Sequence, residues 1–235
     1  MVSKVVVTQP IHATVLSYLQ QHSEVTMNSG PEPFSHTELI ENCEDADGVM
    51  VFMTERIDND FLATCKNIKI IAGALKGYNN INVPECSRKN IPVTIVPDLL
   101  SEPTGELAIG LMLALARKVC AGDRHIRKNN FSGWRPMFYG QSLSDANVLL
   151  IGAGAVGKTI LRMLKGFNCR CSYVDTVPLL RSEEVELSCT RTELDKGLPK
   201  ADFVVLALHL NPNTRYLVDT SFLSKMKKVP FCSFF

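Results

Sequence analysis

The stretch Val148–Thr159, VLLIGAGAVGKT, runs an apolar strand directly into three glycines, Gly152, Gly154 and Gly157. This is the G-x-G-x-x-G spacing of a phosphate cradle. The first glycine permits a tight strand-to-helix turn, the second lets a pyrophosphate approach the backbone, and the third lets the helix pack close to the strand. The following helix then faces the anion with free N–H groups and a partial positive charge, with Ala155 and Val156 in its first turn.

Gly152, Gly157, Lys158 and Thr159 also satisfy the G-x-x-x-x-G-K-[ST] pattern of a nucleoside triphosphatase. The two readings need different partners downstream. A dinucleotide site wants an acidic residue about 20 positions on, at the end of the second strand, to hold the adenosine ribose. Cys171–Asp175, CSYVD, supplies it. A triphosphatase wants an apolar strand ending in Asp for magnesium, and the best later strand, Phe203–Leu208, ends in His209. Dinucleotide binding is therefore favoured, with triphosphate binding as the alternative and a ligand-free turn as the plainest reading. Asp175 points to NAD over NADP, because a carboxylate accepts from ribose hydroxyls and repels a 2′-phosphate; no arginine follows it directly.

With 235 residues, 46% of them hydrophobic, the chain can build one large or two ordinary domains. A formal charge of +1 and basic runs no longer than two residues argue against nucleic acid or an anionic membrane as main partner. The start, MVSKVVVTQP, reads as neither a signal peptide nor a spanning helix, so a cytoplasmic address is expected. The eight cysteines show no zinc spacing, and reduced, buried thiols are expected with no metal site. Cys169 and Cys171 should share one face of a strand.

Upstream, short runs rich in Val and Ile at Lys4–Val7, Glu24–Met27, Gly48–Phe52, Ile68–Ala72 and Val93–Val96 read as strands. Ser35-x-x-Glu38 is a capping box, and Asn82-Val-Pro-Glu85 puts an N-cap before a first-turn proline. Strands alternating with helices imply parallel sheets with ligands at the strand C-termini. Glu102–Val119 reads as one long buried helix, apolar almost all round, suited to a deep core or a subunit interface. The aromatic loop Phe131–Tyr139, FSGWRPMFY, reads first as packing.

This layout resembles the D-isomer-specific 2-hydroxyacid dehydrogenases, and among them the phosphite dehydrogenases. The similarity rests on Phe52–Met53, GALKGYNN at Gly73–Asn80, VPDLLSEPTGELAIGL at Val96–Leu111, GWRPMFYG at Gly133–Gly140 and the glycine fingerprint, extending to about Lys228. It implies a two-domain α/β protein: a flavodoxin-like substrate domain over residues 1–101, then a truncated Rossmann doubly wound parallel sheet over 102–235 that binds NAD. The resemblance implies that Met53, Lys76, Gly77, Leu100, Trp134 and Tyr139 line the substrate site, and that Thr104, Gly152, Gly154, Ala155, Val156, Gly157, Asp175 and Ala207 serve the cofactor. Lys76 is the discriminating residue, since most members carry a small residue there. Its ammonium would suit a phosphite dianion; a solvated loop lysine is the plainer reading.

Three departures from the family pattern stand out. Asn79-Asn80 keeps turn chemistry, and His209 replaces a common proline and is read as a cofactor-side loop residue. After Lys228 the pattern gives way to VPFCSFF, read as foreign sequence with an apolar strand as the competing reading. The family's catalytic arginine, glutamate and histidine would then lie beyond the chain end, and the fourth strand, Phe203–Leu208, would be left as an open edge. The resulting expectation is a truncated enzyme, inactive as it stands, whose parent oxidises phosphite with NAD and forms a homodimer. The alternatives are a dehydrogenase of a carboxylate 2-hydroxy acid and a non-catalytic dinucleotide-binding protein.

Overall fold

The computed structural model describes residues 2–97 and 99–227, together with the backbone of 231–234. Met1, Asp98, Lys228, Val229, Pro230 and Phe235 lie outside the described residues, and so do the side chains of 231–234, so the burial expected for VPFCSFF has no counterpart here. The chain divides into two compact units, Met1–Leu99 and Leu100–Phe235.

The first unit runs β1 (Ser3–Val7), α1 (Ala13–Gln20), β2 (Ser23–Met27), α2 (His36–Cys43), β3 (Gly48–Val51), α3 (Asn59–Thr64), β4 (Ile70–Gly73), α4 (Val83–Arg88) and β5 (Val93–Thr94). A helix between each pair of strands returns the chain to the same end, so every pairing is parallel, in the order β2-β1-β3-β4-β5. That is the flavodoxin-like order. Val6, Val49, Val51 and Ile71 meet Leu39, Phe61, Leu62 and Ile81 in its core. The helix starts follow the sequence signals. Ser35 Oγ accepts from Glu38 N at 3.3 Å while Ser35 N donates to Glu38 Oε2 at 2.8 Å, and Asn82 Oδ1 accepts from Glu85 N at 3.2 Å.

The second unit runs α5 (Ser101–Ala116), α6 (Val119–Arg127), β6 (Asn147–Ile151), α7 (Ala155–Leu164), β7 (Arg170–Val174), α8 (Arg181–Leu187), β8 (Cys189–Arg191), α9 (Leu194–Gly197), β9 (Phe203–Leu206), α10 (Thr220–Lys225) and β10 (Phe231–Phe234). Its parallel sheet has the order β10-β9-β6-β7-β8. Counted from β6 this is the doubly wound Rossmann order, and the chain reverses direction across the sheet between β6 and β9.

Two expectations are corrected in this unit. Phe231–Phe234 pairs in parallel with Phe203–Leu206, so the sheet does not stop at its fourth strand and β9 is flanked on both sides. The stretch read as foreign sequence takes the place of a fifth strand. The long helix expected over Glu102–Val119 is α5, which stops at Ala116, and Lys118 at φ 55° is the left-handed residue before a second helix, α6, that sequence reasoning missed.

Nor is α5 buried all round. Ser101, Gly105, Ala108, Met112 and Ala116 form the buried stripe. Gly105 permits the close approach to α7, since a Cβ there would lie 2.7 Å from Thr159 Cγ2. Leu107, Leu111 and Leu115 on the other side are exposed. No helix among the described residues is long and apolar enough to cross a membrane.

Candidate functional site

The glycine turn between β6 and α7 is shaped by two crowded glycines and one open one. Gly152 sits at φ 98°, and a Cβ there would run into the carbonyl of Ala207. Its N–H donates to Val174 O at 2.9 Å, and Ala207 N donates to Ile151 O at 2.8 Å, which ties the ends of β6, β7 and β9 together. Gly157 lies against Gly152 O with no room for a side chain. A Cβ on Gly154, by contrast, would meet nothing within 4 Å.

Gly154 also starts α7 without a side-chain cap. The first return bond of the helix is Lys158 N to Gly154 O at 2.8 Å. The N–H groups of Ala155, Val156 and Gly157 find no backbone or side-chain acceptor among the described residues. Three donors, a helix N-terminus and an open space beside Gly154 fit the pyrophosphate of a dinucleotide.

Asp175, just past β7, anchors the other side of this turn. Its Oδ2 accepts from Ala153 N at 2.6 Å, and its Oδ1 accepts from Val177 N at 3.0 Å and Thr176 Oγ1 at 3.3 Å. Burial raises the Asp175 pKa, but the bonds from Ala153, Val177 and Thr176 outweigh it and hold the carboxyl below its ordinary value. Oδ2, which accepts a single bond, keeps lone-pair capacity for a ribose hydroxyl. Arg191, which sequence reasoning missed, donates from Nη2 to the carbonyl of Asp175 at 2.9 Å. The proximity comes from strand register, Tyr173 beside Arg191, which no motif encodes.

The triphosphate reading is overturned at the same turn. Lys158 is the fourth residue of α7, and its Nζ is held 2.6 Å from Glu183 Oε1. Thr159 is buried against Gly105. In a triphosphate site that lysine reaches the phosphates and that hydroxyl binds magnesium; here one is paired with α8 and the other is packed under α5.

In the first unit, Met53 and Lys76–Gly77 follow the C-terminal ends of the adjacent strands β3 and β4. Met53 is 78% exposed, while Lys76 and Gly77 are half-buried. The loop carrying Met53 is braced by Glu55, which sequence reasoning missed. Glu55 is buried, accepting from Phe52 N at 2.7 Å, Thr54 Oγ1 at 2.6 Å and Gln9 Nε2 at 3.1 Å. Asn80 Nδ2 donates to the carbonyls of Phe52 and Glu55 at 2.9 and 2.7 Å. Burial pushes the Glu55 carboxyl up, and the bonds from Thr54, Gln9 and Phe52 pull it below its ordinary value.

In the second unit, Thr104 is half-buried on the first turn of α5 and donates from Oγ1 to Leu100 O at 2.6 Å; Leu100 is exposed. Trp134 and Tyr139 are 81% and 76% exposed, which corrects the reading of their loop as packing. Of that loop, Phe138 makes an edge contact with His125 at 5.4 Å. The seven described cysteines are free thiols. Cys169 and Cys171 pack against the same core, and burial pushes Cys171 up to about 12, which leaves it inert.

Residues 109–231 match the family described as D-isomer specific 2-hydroxyacid dehydrogenase, NAD binding domain. A protein of Staphylococcus aureus strain MRSA252, by its name a 2-hydroxyacid dehydrogenase, is 33% identical over 230 residues, covering 97% of this chain and 72% of its own. Among solved structures, the TT0316 protein of Thermus thermophilus is 27% identical at a TM-score of 0.91, covering 98% of this chain and 73% of its own. D-lactate dehydrogenase from Aquifex aeolicus, complexed with NAD and lactic acid, shares the fold at a TM-score of 0.83 and 19% identity, covering 99% of this chain and 68% of its own. With an NAD-binding domain matched over half its length and a relative aligned along nearly all of it, the chain belongs to the D-isomer specific 2-hydroxyacid dehydrogenase family.

Proposed function

We propose that this protein is an NAD-dependent dehydrogenase acting on a 2-hydroxy acid carboxylate. The observation that carries this reading is the alignment along 97% of the chain with a relative named for 2-hydroxy acids. Phosphite, suggested at first by Lys76, has no such support. A lysine ammonium beside a glycine turn suits a carboxylate as well, as a point charge added to backbone donors.

The first unit is the substrate domain and the second the cofactor domain. Ala155, Val156 and Gly157 hold the pyrophosphate with their N–H groups, Gly154 leaves it room, and Asp175 receives the adenosine ribose. Thr104 and Ala207 complete the cofactor side. NAD, when bound, supplies the hydride acceptor. Lys76 and Gly77 draw the substrate anion to the C-terminal end of β4, and Met53 borders it. Leu100, Trp134 and Tyr139 are the substrate-side residues of the second unit. A homodimer is the proposed assembly, and the exposed Leu107, Leu111 and Leu115 on α5 support it by offering an apolar face of the kind that interfaces cover.

Binding tests the substrate class. NADH-saturated protein is titrated with lactate, a 2-oxo monocarboxylate or phosphite while its melting temperature is followed. A carboxylate-dependent rise, absent with phosphite and lost in Lys76→Ala, is expected. A rise with phosphite alone would return the assignment to the phosphite branch.

A further inference from the structure

We propose that Arg191 is a specificity residue of the adenosine subsite: it places a guanidinium beside the ribose, so that this site excludes a 2′-phosphorylated cofactor through the Asp175 carboxylate alone. The proposal rests on the reading of Asp175 as the ribose acceptor.

The geometry begins with register. β8 lies next to β7, and its last residue, Arg191, stands beside Tyr173, two residues before Asp175. It reaches the carbonyl of Asp175, to which Nη2 donates at 2.9 Å. One bond to a neutral acceptor uses one of the five donors of a guanidinium. Arg191 forms no ion pair with any carboxylate among the described residues, and it is exposed. Glu184, on the neighbouring helix, is engaged by Arg181 at 3.0 Å and by the hydroxyl of Tyr173 at 3.0 Å.

The charges around the ribose position are therefore opposed. Asp175 is held ionised by Ala153, Val177 and Thr176, and it disfavours a phosphate dianion. Arg191, anchored to the same residue, offers a planar fork suited to phosphate. An arginine near the ribose is what accommodates a 2′-phosphate in dinucleotide sites. Here that arginine comes from the third strand of the sheet and is already in place.

The test is equilibrium binding of NADH and NADPH to the 235-residue chain, followed by nicotinamide fluorescence, with thermal melting as a check on folding. The variants are Asp175→Ser, Asp175→Asn, Arg191→Ala and the double variant Asp175→Ser/Arg191→Ala. Asp175→Asn keeps an acceptor for Ala153 N and guards against simple misfolding of the serine variant. In either single Asp175 variant NADH should weaken and NADPH should tighten by about tenfold, without a new arginine at Thr176. Adding Arg191→Ala should erase the NADPH gain.

If NADH weakens but NADPH stays weak whether or not Arg191 is present, the role of Arg191 is overturned and that of Asp175 stands. If NADH affinity does not change in either Asp175 variant, the ribose reading fails and the proposal falls with it.

Discussion

The carboxylate of Asp175 reaches back 22 residues to accept a hydrogen bond from Ala153 N at 2.6 Å, so the residue proposed to receive the ribose also braces the turn proposed to receive the pyrophosphate. The two halves of the proposed cofactor site are joined by this bond, and a change at either should be felt at the other.

The first prediction concerns pH. Asp175 has a folded pKa below its unfolded value, so its contribution is complete above the unfolded pKa and is lost as pH falls through the folded one. NADH binding should stay flat from neutrality down to about pH 4, where a free Asp is already half protonated, and decline only below it, because the folded carboxyl holds its charge longer. Asp175→Asn should abolish that acid limb. An unchanged limb in the Asn variant would place the titrating group elsewhere.

The glycines should separate folding from binding. Gly157→Ala drives a Cβ into Gly152 O and should cost about 1–3 kcal/mol of stability, read from urea melts. The Cβ of Gly154→Val meets open space, so stability should fall by about 1 kcal/mol or less, the cost of valine at an N-cap, while NADH affinity falls sharply. Equal loss of stability in both variants would contradict the assignment of Gly154 to the ligand.

Glu55 should matter to the first unit in proportion to the donors it satisfies. Glu55→Ala removes the acceptor of the half-buried Phe52 N, at about 1–3 kcal/mol for an unsatisfied group, and leaves Gln9 Nε2 only its longer bond to Thr54 Oγ1 at 3.3 Å. Glu55→Gln should recover part of this, because one amide oxygen still accepts. Denaturation of the two variants gives the ranking, and an alanine variant as stable as the parent would show the network to be dispensable.

The apolar side of α5 gives a prediction about assembly. Leu111→Glu, on an exposed face, should leave the fold intact and shift the mass seen by light scattering from dimer to monomer. A monomeric parent, or a dimer indifferent to the glutamate, would remove this face from the interface.

The parts legible in the sequence are those where one residue type answers to one local constraint. Gly152 is forced by its φ of 98° and by Ala207 O, and Ser35 with Glu38 by the helix start, so both could be read directly. The parallel sheets followed from strands separated by helices. What escaped is set by tertiary register or by short, polar elements. β8, Cys-Thr-Arg, has three residues and no apolar run, and without it Arg191 could not be put next to Asp175. Glu55 carries no signal in its neighbours, because its partner Gln9 comes from the end of another strand and Asn80 from a third loop. The break at Lys118 is a left-handed residue that is not glycine, which propensity does not flag. The pairing of Phe231–Phe234 with β9 is hidden by the departure of that stretch from the family pattern, although an apolar run beside a buried strand suits a sheet.

The central claim is that the turn from Gly152 to Gly157, together with Asp175, holds NAD. Isothermal titration of the 235-residue chain with NADH tests it most directly, in parent, Gly154→Val and Asp175→Asn proteins that melt alike. The account predicts saturable one-to-one binding to the parent, competed by NAD and weakened by about tenfold or more in each variant. Binding that is unaffected by both substitutions would contradict it.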